Sequence, residues 1–360
     1  MKALFFSVFS VFSVFQKAFT EPARSGFHLA SRVAPARASG ENLSMLRPTS
    51  IAALLLLSAC SLQEASNRTD SIALEGTKRG ASKSWNPNTW QPPAVDSTPD
   101  DPYEAAVYRG LAILTHTHDS LPSYAPSSLN CTSCHLDEGR RPNAAPLAGV
   151  MARYPRYIDR VNAVIPIEDR INYCFTRSLS GSRLPPDSRE MQDLVAYFAY
   201  ISKGVPTGEH VRGEGMAAMP RLPADSSRGR PLFVENCARC HGPDGRGMGT
   251  IPALWGGRSF SIGASMARVE RAASFIRHNM PFDRPGSLTD QQSYDIAAYV
   301  TAMTRPDLPG KENDWPSGGA PADVPYDTKG KKSAHPVKPI PRLNAAGAVV
   351  TAPVSVLRNR

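Results

Sequence analysis

The chain has 360 residues, 41% of them hydrophobic, enough for two compact domains of about 100 residues plus tails. Its net charge of +9 admits an anionic substrate or an acidic partner and equally fits a soluble basic surface; no nucleic-acid motif is present and aromatic and basic residues scarcely interleave, which excludes a nucleic-acid partner. The 33 prolines and 26 glycines gather outside two cysteine-bearing regions, so the outer segments are expected to be irregular.

Residues 1–60 read as an export region. Ile51 to Cys60 is a short apolar run behind Arg47 with small residues just before the cysteine, the pattern of an export signal and lipobox that leaves Cys60 as the acylated first residue. The run is too short to span a bilayer and ends in a polar stretch, which argues against a buried core segment. Ser61, not aspartate, follows it, so a periplasmic protein on an outer-membrane lipid anchor is expected. Met1-Lys2 and the run Ala3 to Phe15 read as a second signal core, and translation from Met45 would remove the duplication. Residues 61–100 are polar and proline-bearing, a tether.

Residues 101–206 form the first predicted domain. Asp101-Pro102 opens a helix with Tyr103, Ala106, Val107, Leu111 and Leu114 at helical spacing. Cys131-Thr-Ser-Cys134-His135 follows. Two thiols one helical turn apart form thioethers to the vinyl groups of a haem, and the next imidazole lies beneath the iron. One C-x-x-C-H also fits half a zinc site or a redox dithiol. Cys237-Ala-Arg-Cys240-His241 repeats it, however, and no further C-x-x-C exists to complete a zinc ribbon. Two covalent haem c groups are therefore expected on Cys131, Cys134, Cys237 and Cys240, with His135 and His241 as proximal iron ligands.

Cys174 is left without a partner. Pro166 and two acids before it and Gly181 after it predict a short helix, on which Arg170, Cys174, Arg177 and Ser178 share one face. Two guanidinium groups beside a thiol favour the thiolate, which binds metal and acts as a nucleophile, and they offer a seat to an oxyanion. The pattern equally fits arginines bonded to haem propionates or surface carboxylates, with Cys174 packed as a small hydrophobe. Ser188 to Lys203 closes the domain as a helix striped by Met191, Leu194, Val195, Phe198 and Ile201, with Gly204 as its stop.

Residues 207–224 read as a Gly- and Pro-rich linker, and residues 225–308 repeat the scheme. Gly229 to Cys240 is the haem helix, and Leu288-Thr-Asp begins a closing helix with Tyr294, Ala297, Tyr299, Val300 and Met303. Met280, before a proline and upstream of that helix, is the first choice for the distal thioether ligand. Met266 is the second, and His278 is expected on the surface or on a propionate. Residues 309–360 turn to Pro, Gly and Lys with little periodicity and are expected to wrap the surface or stay mobile. The fold class expected is all-α: two cytochrome c-like haem domains in tandem with irregular N- and C-terminal extensions.

Leu129-Asn-Cys-Thr-Ser-Cys-His-Leu136, Pro146-Leu-Ala-Gly-Val, Tyr154-Pro-Arg-Tyr, Arg170-Ile-Asn-x-x-Cys174-Phe-x-Arg-Ser178 and Phe-Ile-x-x-Asn-Met280-Pro together resemble the thiosulfate dehydrogenases, or tetrathionate synthases. The resemblance runs from about Tyr103 to Tyr326 and takes in Asp314-Trp-Pro and Asp323-Val-Pro-Tyr. It implies a first haem held by His135 and Cys174, substrate contacts from Arg170 by motif and Arg160 by spacing, and a polar neighbour in Ser178. At the second haem it implies His241 and Met280; Asn279 stands where some members carry a lysine that exchanges with the methionine. The implied reaction joins two thiosulfates into tetrathionate through a Cys174 adduct, with Arg160, Arg170 and Arg177 offsetting the charge of the dianions. Electrons then leave from the second haem to a periplasmic acceptor such as a small cytochrome c or a high-potential iron-sulfur protein. Two rival readings stand beside it: a pure electron carrier with Cys174 silent, and a SoxA-like subunit acting on a carrier protein's cysteine.

Overall fold

The computed structural model describes residues 85–95 and 100–353. Cys60, the export region and the rest of the tether lie outside the described residues.

Two helix crossings organise the chain, one in each half. In the first, α1 (Pro102–Thr115) packs on α3 (Arg189–Tyr200); in the second, α4 (Ser226–Asn236) packs on α6 (Asp290–Ala302). Each begins where the local sequence says it should. Asp101 accepts from the Glu104 amide at 2.8 Å, Ser188 from the Met191 amide at 3.3 Å, and Thr289 and Gln292 close a capping box.

Both crossings use the same device, an Arg-Gly pair on the opening helix against an aspartate one turn before a tyrosine on the closing helix. Arg109 forks onto Asp193 at 2.7 and 2.8 Å, and Arg228 onto Asp295 at 2.8 Å through both nitrogens. The adjacent glycines let the backbones meet. A Cβ on Gly110 would lie 2.1 Å from the Asp193 carbonyl oxygen, and one on Gly229 1.9 Å from that of Asp295. A main-chain carbonyl inside a helix cannot swing away, so Gly110→Val should force the helices apart and destabilise the holoprotein by about 3 kcal/mol. Thermal melting checks this against Gly330→Ala, where an added Cβ meets nothing within 4 Å.

The close approach also decides which face of α1 is buried. Val107, Gly110, Ile113 and Leu114 turn inward, whereas Tyr103, expected on the apolar stripe, is 49% exposed and only touches α3 through its hydroxyl. The fold is not wholly helical either. Arg156–Ile158 and Ala163–Ile165 form an antiparallel pair with Arg156 opposite Ile165, and it leads into α2 (Ile167–Arg177), which carries Cys174. The helix upstream of Met280 is α5 (Val269–Asn279).

Segments expected to be loose are anchored by isolated large side chains. Trp90 donates to the Lys203 carbonyl at 3.1 Å and Tyr200 to that of Ala94 at 2.9 Å, which fixes the end of the tether on α3. In the 207–224 stretch, Met219 and Leu222 pack on Ala272, Ala273, Tyr294 and Ala297. The described C-terminal segment is packed in the same way. Trp315, Val324 and Tyr326 are buried with Ile262 and Leu308 in a cluster of their own, because three apolar anchors suffice to hold an irregular chain against a body already folded.

Candidate active site

The first C-x-x-C-H lies on the wall of a cavity of about 400 Å³, shared with Arg160, Arg170, Cys174 and Ser178. The His135 Nδ1 lies 2.5 Å from the Ala145 carbonyl oxygen, so that nitrogen carries the proton and Nε2 keeps its lone pair for a metal. Cys131 and Cys134 are free thiols, with Thr117 donating to the Cys131 sulfur at 3.3 Å. Leu114, Leu147, Ile171, Phe175, Leu194 and Phe198 supply apolar walls. Two free thiols, one imidazole with an available nitrogen, a facing thiol and apolar walls together fit a haem c. The donor set suits iron with a His and a Cys axial ligand.

Cys174 differs sharply from its two neighbours. Burial pushes the Cys131 and Cys134 thiols up to about 12. Burial acts the same way on Cys174, but the Arg170 charge and its hydrogen bond to the sulfur oppose it and hold that thiol below the ordinary cysteine range. Arg170 lies one turn earlier on α2 and donates through Nη1 to the Cys174 sulfur at 2.7 Å; the thiolate in turn raises the arginine's already high pKa.

The structure divides the four residues expected on one face. Arg170, Cys174 and Ser178 line the cavity, but Arg177 does not. A turn further on, it is buried and donates to Asp314 through Nη1 at 2.8 Å and Nη2 at 2.5 Å, while Tyr326 donates to the same carboxylate at 2.6 Å. Its charge is therefore spent on the C-terminal segment, and the expectation that it faces substrate is corrected. Arg160 does line the cavity; it donates to the Gly263 carbonyl at 2.9 Å, lies 4.2 Å above the Trp315 ring and has Asp314 at 3.9 Å.

Further cationic residues on the cavity wall escaped sequence reasoning. Arg153, Arg156 and Arg268 line it as well. Arg153 is paired with Glu214 and Arg268 with Asp323 at 2.7 Å, while Arg156 is exposed on its strand. Tyr173 was missed too, although it faces Arg177 at 4.5 Å, Arg170 at 5.3 Å and Arg160 at 5.9 Å. One ring bracketed by three guanidinium groups sets their spacing.

The second C-x-x-C-H follows the same local logic. His241 Nδ1 lies 2.9 Å from the Pro252 carbonyl oxygen, leaving Nε2 available, and Cys237 and Cys240 are free, Cys240 being exposed. This donor set also fits a haem c. Met280 directly follows α5 and packs with Met266 on Leu136, Ala144 and Phe275. His278 is tied back to its own helix through the Ser274 carbonyl at 2.9 Å. Asn279 donates to the Asn143 carbonyl at 3.3 Å, so the loop carrying Met280 touches the loop that orients His135.

Comparison with known proteins agrees with this layout. The family model of the SoxA/TsdA cytochrome c domain matches residues 123–207, and that of cytochrome c oxidase cbb3-type subunit III matches residues 224–300. The chain thus holds two cytochrome c domains. The thiosulfate dehydrogenase of Psychrobacter arcticus is 43% identical over 239 residues, which is 64% of this chain and 73% of that one. The thiosulfate dehydrogenase of Allochromatium vinosum is 38% identical over 226 residues, 59% of this chain and 83% of that one. Among solved structures, the thiosulfate dehydrogenase (TsdBA) from Marichromatium purpuratum in its as-isolated form matches with a TM-score of 0.60 and 31% identity, over 66% of this chain and 55% of that one. The present chain spans about half the length of that solved chain.

Proposed function

The chain belongs to the thiosulfate dehydrogenase family, and from that premise we propose that it oxidises two thiosulfates to tetrathionate at Cys174, where His135 and Cys174 would hold the iron of one haem and His241 and Met280 that of the other. The observation that carries the reading is the 2.7 Å hydrogen bond from Arg170 to the Cys174 sulfur, on the wall of the cavity that also holds Cys131, Cys134 and His135. Haem c, when bound, supplies the one-electron acceptors for the two electrons released.

The protein's own residues handle charge and sulfur. Arg170, Arg160 and the exposed Arg156 draw the thiosulfate dianion into a site of low dielectric, where each contact is stronger than in water. The sulfane sulfur bonds to Cys174 Sγ with loss of two electrons, leaving an S-thiosulfonate with a single negative charge. A second thiosulfate attacks the outer sulfane sulfur. The bond to Sγ breaks, tetrathionate leaves with two negative charges, and Cys174 returns as a thiolate held by Arg170. Ser178, at the end of α2, is placed to donate to a sulfonate oxygen. Arg177 takes no part, because Asp314 already neutralises it.

Electrons would leave on the side of the exposed Cys240. The Asn279 to Asn143 contact supports a short route from the His135 loop to the Met280 loop. A small periplasmic cytochrome c or high-potential iron-sulfur protein is the proposed acceptor, and lipid anchoring through Cys60 remains part of the proposal on sequence grounds alone.

Purified dihaem protein should reduce ferricyanide with thiosulfate alone, forming one tetrathionate for every two thiosulfates consumed. If reduction needs an added carrier protein's cysteine, the SoxA-like reading replaces this one; if no thiosulfate reacts under either condition, the carrier reading does. Removing the charged donor in Arg170→Gln should lower kcat/KM for thiosulfate by about 100-fold, and Arg170→Lys by less, as steady-state kinetics would record.

A further inference from the structure

A second cleft, of about 580 Å³, lies away from Cys174, between the loop around Ser127, the turn at Ser180, Arg258 and the chain around Arg342. We propose that it binds a tetrahedral dianionic oxyanion of the size of sulfate or hydrogen phosphate. This rests on two guanidinium groups that border the cleft with no acid between them. Arg342 is 3% exposed and its Nε is unpartnered, although Nη1 donates to the Thr176 carbonyl at 3.3 Å. The Arg258 guanidinium makes no hydrogen bond or ion pair among the described residues and opens onto the same space.

No carboxylate lines the cleft. Asp307, the acid that acts on Arg342 electrostatically, is itself held by Lys311 at 2.6 Å. Two guanidinium groups without a counter-charge, one of them buried, are an expensive arrangement unless an anion completes it. Asn344 adds a donor, because its Oδ1 is taken by the Ala346 and Ala348 amides at 3.0 and 2.9 Å, which leaves only the amide hydrogens. Apart from the His118 ring, the unspent side-chain groups can all donate.

The cleft reaches the catalytic helix from behind, because Arg342 holds the carbonyl of Thr176, two residues after Cys174. It does not depend on the proposed reaction, and sulfate, a non-substrate, can probe it. Calorimetry on the dihaem protein with sulfate, phosphate and thiosulfate, together with selenate-soaked crystals, tests the assignment. Selenate should appear between Arg258 and Arg342, and Arg258→Gln should weaken sulfate binding by about tenfold. Arg170→Gln should leave sulfate binding at this cleft unchanged. Arg342→Gln also removes a backbone contact that holds the fold, so Arg258→Gln, at an exposed side chain, is the deciding variant. Absence of selenate from the cleft, or sulfate binding that survives Arg258→Gln and is lost in Arg170→Gln, overturns the site. Failure of both sulfate and phosphate to bind overturns the site as well.

Discussion

Replacing Cys174 by glycine is expected to lower thiosulfate oxidation by about 10⁴-fold or more while both haems stay attached. In the proposed attachment the haems are held by Cys131, Cys134, Cys237 and Cys240, none of which is altered, so haem content per chain should match the parent. In the proposed reaction turnover depends on one sulfur. Without it the first thiosulfate has nothing to bond to, and Arg170 loses the anion it holds at 2.7 Å. Glycine inside α2 also weakens the helix by about 1 kcal/mol, so Cys174→Ala belongs beside it as the variant that removes the sulfur and spares the backbone. The proposed ligation adds a spectroscopic arm: the oxidised parent should give the electron paramagnetic resonance signal of low-spin haem with a thiolate ligand, and both variants should lack it. Activity within tenfold of the parent in Cys174→Ala would leave only an electron carrier.

Which parts of this arrangement were legible in the sequence follows from the range of the interactions involved. Helix starts at Asp101, Ser188 and Thr289 could be read because a cap is made within three residues. Arg170 and Cys174 could be read as a pair because four residues on a helix is one turn. The same argument failed for Arg177. Its partner lies 137 residues away in a segment of little periodicity, and helical periodicity says nothing about what arrives from elsewhere. Arg268 and Trp315 reach the cavity by equally distant routes. The strand pair at Arg156–Ile158 and Ala163–Ile165 is a different case, since three-residue strands are too short to establish an alternation. The repeated Arg-Gly and Asp-x-x-x-Tyr pairs of the two crossings were visible in the chain, but their meaning needed the 2.1 and 1.9 Å clearances at Gly110 and Gly229.

The pair that sequence reasoning missed should dominate stability. Arg177 and Asp314 have side chains only 4% and 5% exposed, and Tyr326 and Arg160 lean on the same carboxylate. In Asp314→Ala the guanidinium of Arg177 stays buried with no counter-charge, the Tyr326 hydroxyl loses its acceptor, and Arg160 loses its nearest acid. Breaking a buried pair in this one-sided way costs about 3–5 kcal/mol, which corresponds to a fall in melting temperature of about 10 °C for a body of this size. The double variant Arg177→Met with Asp314→Leu should recover part of that loss, because it removes the stranded Arg177 charge while Tyr326 and Arg160 still lack the carboxylate. Function should separate from stability in the same pair of proteins. Arg177 does not face the cavity, so the double variant, assayed well below its melting temperature, should keep kcat within a few-fold of the parent. A collapse of kcat in a double variant that stays folded at the assay temperature would return Arg177 to the reaction, and an unchanged melting temperature in Asp314→Ala would mean that the C-terminal segment does not clamp the catalytic helix.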